Sequence, residues 1–177
     1  MNLKFIALIQ FNLSNTKSIE KFCKSCEALY GRVDILINNA AFRRGEDRVP
    51  ILDLSEELFQ RVMDIKVTGT FLCTKAVVKH MIDQGDGGKI VNISSTAGKT
   101  GAPNFLAYNG ANFAIVGMTQ SMARELGPHK INVNCVCPGA VDTSRMDVVR
   151  DNWEQMAANT PICLLYTSPS PRDATLS

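Results

Sequence analysis

Ser95 and Tyr108 stand thirteen residues apart, the first closing a short apolar run and the second heading a segment with helical periodicity. That spacing can bring a hydroxyl and a phenol together in the crevice where open α/β sheets bind ligands. A phenol of ordinary pKa, about 10, is ionised to roughly one part in a thousand at pH 7. Acid–base work by Tyr108 therefore needs help from its surroundings. Other reactive residues form no competing site. His80 and His129 are separated and unaccompanied, which reads as surface placement. The six cysteines show neither a disulfide framework nor metal-ligand spacing. Cys23 and Cys26 sit inside a helical pattern and read as core-facing residues rather than a redox pair.

The elements that must position Ser95 and Tyr108 are legible around them. Ile90, Val91 and Ile93 have the character of a buried parallel strand, and a Gly- and Pro-bearing loop follows. The helix from about Tyr108 is expected to bury Phe113, Val116, Met118 and Met122, with Gly127-Pro128 stopping it. Ile131–Val136 is another strand, ending at Pro138-Gly139. Upstream, Phe5–Phe11 reads as a strand leading to a turn at Asn12. Ile19, Phe22, Cys23, Cys26 and Leu29 then mark one helix face, with Ser14 or Asn15 as its cap and Gly31 as its end. Val33–Ile37 is a strand running into Asn38-Asn39-Ala40-Ala41, and a polar loop from Arg43 to Arg48 leads to a helix near Ser55. A longer helix over about Val67–Met81 is expected to bury Phe71, Leu72, Ala76 and Val77, with Gly69 weakening its first turn. Gly85, Gly87 and Gly88 turn the chain into the next strand. This alternation predicts an α/β fold with a parallel sheet covered on both faces.

Composition sets the outer limits. A chain of 177 residues suits one domain with a real core. Hydrophobic content of 45% and charged content of 20% are ordinary for a globular protein, and a net charge of +2 gives no case for nucleic acid. No apolar run approaches the roughly 18 to 20 residues of a membrane span. The first residues, MNLKFIALIQF, are interrupted by Gln10 and lead to no cleavage site, so the expectation is a cytoplasmic protein.

The run Lys89–Ala114 resembles the active-site segment of the short-chain dehydrogenase/reductase family, which pairs a Ser with a Tyr-x-x-x-Lys. Three further stretches carry the likeness. Asn38-Asn39-Ala40-Ala41 resembles the family's Asn-Asn-Ala-Gly turn, Pro138 to Thr143 resembles its Pro-Gly-x-x-x-Thr segment, and Asn12 stands where an Asp usually lies near the adenine ring. Four matches in the right order make the resemblance specific; it extends from about Phe5 to Ile162, within a single partial domain over residues 1–162. It implies a Rossmann-like, doubly wound parallel sheet, NAD or NADP as cofactor, and exchange of an alcohol with a ketone. It implies cofactor contacts from Asn12, Asn38, Ala40, Pro138, Gly139, Val141 and Thr143, and no metal. Tyr108 would exchange the proton and Ser95 would position the oxygen. A homodimer or homotetramer paired through the two long helices is implied as well. Trp153 would fall in the loop covering the substrate, where packing is an equally good reading.

Two positions depart from the pattern. The family's lysine is Asn112 here, and its supporting asparagine on the preceding helix is Lys66. Either Lys66 reaches toward Tyr108 in compensation, or it is a surface lysine; single-base changes would also convert each codon into the other. The family's first two strands and its glycine-rich phosphate turn have no counterpart in these residues, nor does its last strand. The remaining first strand, Phe5–Phe11, would pair beside Val33–Ile37 or stay loose. Residues 163–177 resemble the translation of a sequencing adapter, with a Ser/Pro-rich disordered tail as the alternative. The expectation is an inactive, incomplete dehydrogenase, and the alternative is a non-catalytic binding or oligomerisation subunit.

Overall fold

The computed structural model describes residues 7–42 and 45–139; Val141, Thr143, Trp153 and the tail 163–177 lie outside them. Helix α1 (Thr16–Tyr30) is bounded by the signals its sequence carries. The Asn15 side chain accepts from the Ser18 N–H at 2.9 Å, satisfying one of the first turn's orphan donors. Gly31 adopts φ 73°, and its N–H reaches the Glu27 carbonyl at 2.7 Å. Strand β1 (Ile35–Asn38) follows. Helix α2 (Glu56–Met63) starts on Ser55, whose hydroxyl accepts from the Leu58 N–H at 3.2 Å. Glu56 and Glu57 lie against its positive end. It passes without a break through a π-helical turn (Asp64–Thr68) into α3 (Gly69–Gln84). Strand β2 (Gly88–Ile93), a short 3₁₀ turn (Thr96–Gly98), α4 (Leu106–Leu126) and β3 (Ile131–Val136) complete the described order.

The three strands are parallel in the order β1-β2-β3. Their register aligns Leu36 with Ile90 and Ile90 with Val133, then Asn38 with Asn92 and Asn92 with Cys135. Leu36, Ile90 and Val133 pack in one core with Ile19 and Cys23 of α1, Cys73, Val77 and Met81 of α3, and Leu126 of α4. Side chains of aligned residues leave the same face of a sheet, so all three helices cover one face. Two right-handed crossovers taken in the same direction require that arrangement. Ile90, Ile131 and Met81 are at most 1% exposed, and burial of such a side chain stabilises by about 1.5–3 kcal/mol. A second cluster joins Val62 of α2 to Ala107 and Ala111 of α4. The chain thus has the Rossmann-like parallel sheet, and its described part supplies the helical layer of one face. On the opposite face Ile35 and Ile37 are 59% and 61% exposed.

Four expectations are corrected. Residues 7–11 form no strand; Phe11 instead stacks on Phe22 of α1, with ring centroids 4.1 Å apart, so its apolar surface goes to the helix rather than to the edge of β1. The helices near Ser55 and over Val67–Met81 are one continuous run. It runs through Gly69, whose missing side chain admits Leu13, with the Leu13 Cβ 3.2 Å from where an added Cβ would lie. On α3 the buried residues are Cys73, Thr74, Val77 and Met81, while Phe71 is exposed. On α4 they run Ala107, Ala111, Ile115 and Thr119, while Phe113 is exposed. Small residues let the helices approach, and the large aromatics fall on the outer faces.

Candidate active site

Parallel strands end together, so the C-terminal ends of β1, β2 and β3 bring Asn38–Ala40, Ser94–Ser95 and Pro138–Gly139 to one edge of the sheet. The ladder continues past the strands. The Ser94 N–H donates to the Val136 carbonyl at 2.7 Å and the Thr96 N–H to the Pro138 carbonyl at 3.0 Å. Ser95 holds extended backbone, and its hydroxyl accepts from the Ala97 N–H at 3.2 Å, which starts the turn Thr96–Gly98. That turn packs on α4. A side chain at Gly98 would place its Cβ 2.6 Å from Ser94 Oγ and 2.9 Å from the Asn112 carbonyl, so glycine is what permits the approach.

Tyr108 is half-buried in the first turn of α4. Its ring meets Phe105 edge-on at 6.2 Å and 77°. The Arg48 guanidinium lies over the Phe105 ring at 4.3 Å and over the Tyr108 ring at 5.7 Å. Asn112 is 2% exposed, and its side chain turns back along the helix, donating to the Tyr108 carbonyl at 2.8 Å. Its own carbonyl accepts from Ser94 Oγ at 2.9 Å. The structure therefore brings Ser94, rather than Ser95, into hydrogen bonding with Asn112.

Lys66 belongs to the π-helical turn and is not a surface lysine, being 5% exposed. Its ammonium donates to the Ile93 carbonyl at 2.6 Å and the Ala40 carbonyl at 3.2 Å, tying the ends of β1 and β2 together. Burial pushes Lys66 below the usual lysine range, and the neighbouring Cys135 acts in the opposite sense. The unfolded chain then binds the proton more tightly, so the penalty on the charged form is present at neutral pH and fades as pH rises toward the ordinary value of 10.5. The neutral amine keeps two N–H groups for the two carbonyls. Over a pH range that rises toward 10.5, the wild type is expected to gain stability relative to Lys66→Met, read as the difference in urea midpoint. A difference that stays flat across that range would mean that the ammonium is solvated.

Asn38 spends its amide inside the fold, donating to Thr74 Oγ1 at 3.1 Å and Asn92 Oδ1 at 2.9 Å. Asn92, fully buried, passes the chain on to Thr119 Oγ1 at 3.0 Å. This network escaped the sequence reading, although a polar Asn92 inside an apolar strand run was a signal that a buried partner exists. Asn12 is exposed and shapes the turn before α1, its side chain accepting from the Ser14 N–H at 2.9 Å. A small cavity opens between Phe11 and Leu13 on one side and Ile37–Ala40 on the other. Among the described residues no group of three or more metal-ligating side chains is present, and no helix is long and apolar enough to cross a membrane.

A family model described as short chain dehydrogenase matches residues 2–154. A 2,5-dichloro-2,5-cyclohexadiene-1,4-diol dehydrogenase of Sphingobium indicum is 38% identical over 146 residues, which is 82% of this chain and 58% of that protein. A galactitol 2-dehydrogenase of Agrobacterium fabrum is 38% identical over 141 residues, 80% of this chain and 54% of that protein. The chain thus spans little more than half the length of these curated relatives. Among solved structures, an NAD+-bound xylitol dehydrogenase superposes with a TM-score of 0.79 at 29% identity, covering 88% of this chain and 65% of that one. A structure of ElxO with NADP bound gives 0.81 at 26% identity, covering 92% and 66%.

Proposed function

Since the chain belongs to the short chain dehydrogenase family, we propose that it derives from, and retains the site plan of, an NAD(P)-dependent oxidoreductase interconverting an alcohol and a ketone. The observation that carries this reading is the docking of the Ser95–Gly98 turn onto α4 at Asn112, one helical turn after Tyr108, at the shared end of three parallel strands. Ala40 and Gly139 are small and exposed at the ends of β1 and β3. Ala40, Pro138 and Gly139 would edge the nicotinamide, and Val141 and Thr143 follow them in the sequence. Bound nicotinamide takes or gives a hydride; the proton is handled by this chain's own residues. Tyr108 would exchange it with the substrate oxygen, and Ser95 would hold that oxygen. Asn38 supports the site from within the sheet, its amide being committed to Thr74 and Asn92. Lys66 aligns two strand ends in the same way. Asn112 adds no charge, so general acid–base catalysis, worth about 10² to 10⁴-fold, is largely lost as the chain stands.

One observation favours a second reading, a non-catalytic subunit that associates through its long helices. Phe71 of α3 and Phe113 of α4 are 48% and 46% exposed, which puts an aromatic ring on the outer face of each long helix. A reducing cytoplasm suits either reading, since the five described cysteines are free thiols. Titrating NADH and NADPH while following cofactor fluorescence separates the two. Saturable binding, with turnover of a sugar alcohol or cyclic diol, supports the oxidoreductase. A defined oligomer that leaves the fluorescence unchanged would sink it in favour of the subunit.

A further inference from the structure

Strand β3 ends in Cys135-Val136, and Cys137 follows it directly before Pro138-Gly139. Residues two apart on an extended chain project from the same face, and the two sulfurs lie 3.9 Å apart. Both residues are half-buried. Cys135 shares its sheet row with Asn38 and Asn92 and has the Thr119 hydroxyl and the Lys66 charge as neighbours.

We infer that Cys135 and Cys137 form a bidentate binding site for a soft, thiophilic centre such as a zinc-group divalent ion or a trivalent arsenical. The spacing decides between the reactions open to two thiols. A tetrahedral zinc with Zn–S bonds of about 2.3 Å spans a sulfur pair about 3.8 Å apart. The observed 3.9 Å needs almost no adjustment. A disulfide instead requires about 2.05 Å between sulfurs, so the pair would have to close by nearly half its separation. That closure would drag backbone whose Val136 and Pro138 carbonyls are held by the Ser94 and Thr96 N–H groups. Chelation keeps the strand end as it is; oxidation deforms it.

Proton release is the remaining requirement, because thiolates are the ligands. Burial, with the neighbouring Cys137, pushes Cys135 up to about 11, while the Thr119 hydroxyl and the Lys66 charge act the other way. The incoming centre supplies the rest of the driving force. With an arsenoxide the balance is simple. Each thiol loses its proton to the arsenoxide oxygen, two As–S bonds form, one water leaves, and arsenic stays trivalent.

The test uses phenylarsine oxide on the full chain, in the presence of excess monothiol, followed by tryptic mapping. Cleavage after Lys130 and Arg145 leaves both thiols on the peptide 131–145, whereas cleavage after Lys24 separates Cys23 from Cys26. One arsenical on peptide 131–145, removed by a competing dithiol but not by monothiol, is the expected result. The second As–S bond is intramolecular, so Cys135→Ser and Cys137→Ser should each weaken capture by about 10² to 10⁴-fold. Cys23→Ser should leave it unchanged. An arsenical found only on other peptides of the wild type overturns the inference, whatever the variants do. So does undiminished capture by either serine variant.

Discussion

Asn112→Lys raises alcohol oxidation by about 10² to 10⁴-fold over the parent chain, the range that a positioned acid–base group contributes. The argument runs through position. Asn112 lies one helical turn after Tyr108 and is held on the Tyr108 carbonyl by its own side-chain amide. Lysine there loses that amide bond, worth about 0.5–1.5 kcal/mol, but leaves the Ser94–Asn112 backbone bond in place. It brings a cation to the helix face that carries the phenol, and a nearby cation favours the phenolate. Lys66 is committed to the Ala40 and Ile93 carbonyls, so the introduced charge adds a function that the parent lacks. Steady-state oxidation with NAD or NADP across pH measures the gain, and the double variant Asn112→Lys/Tyr108→Phe should show none of it. A gain that survives loss of the phenol would remove Tyr108 from the chemistry.

Gly87→Ala costs about 3–5 kcal/mol of stability, combining backbone strain with overpacking. Gly87 has φ 81°, in the left-handed region that side chains rarely adopt. An added Cβ would also lie 2.3 Å from the Lys130 carbonyl oxygen and 2.9 Å from Lys130 Cβ. Neither contact is the end of a flexible side chain. Relief means moving the turn into β2 or the turn into β3, and the Gly88 N–H bonds that same Lys130 carbonyl at 3.3 Å. The urea midpoint with an unchanged slope reads the loss. Gly85 has a similar φ of 77° but open space around it, so Gly85→Ala should cost only the strain, about 1–3 kcal/mol. Equal losses at the two positions would refute the steric half of the argument.

What the sequence disclosed was local chemistry. Asn15 and Gly31 act as caps, and a helix starts at Ser55, because a helix end is decided by a residue and its neighbours within one turn. The strand ends were legible for the same reason, and the order of motifs identified the family. Tertiary contacts were not legible. Phe71 and Phe113 looked like core residues by hydrophobicity, yet α4 buries Ala107 and Ala111 against Val62 of α2 and Thr119 against Asn92 of the sheet, because short side chains let the elements come close. Asn38 was legible as part of a turn motif, but the two partners of its amide, Thr74 and Asn92, lie 36 and 54 positions away and were not. Arg48 passed as one of several loop charges, and only the fold sets it over the rings of Phe105 and Tyr108. Lys66 was legible as a departure from the family pattern, but its two carbonyl partners were not.

The one-sided layering of helices on the sheet also bears on how this chain acquires its shape. Strands β1, β2 and β3 are neighbours in sequence as well as in space. Each pairing closes a single crossover, and among the described residues no strand waits for a later piece of chain to be inserted beside it. Loop-closure cost grows only slowly with the length enclosed, so the sheet can grow by one strand at a time in the order in which the ribosome releases it. β1 stands as the template for β2, and β2 for β3, with each new helix laid over the pair just formed.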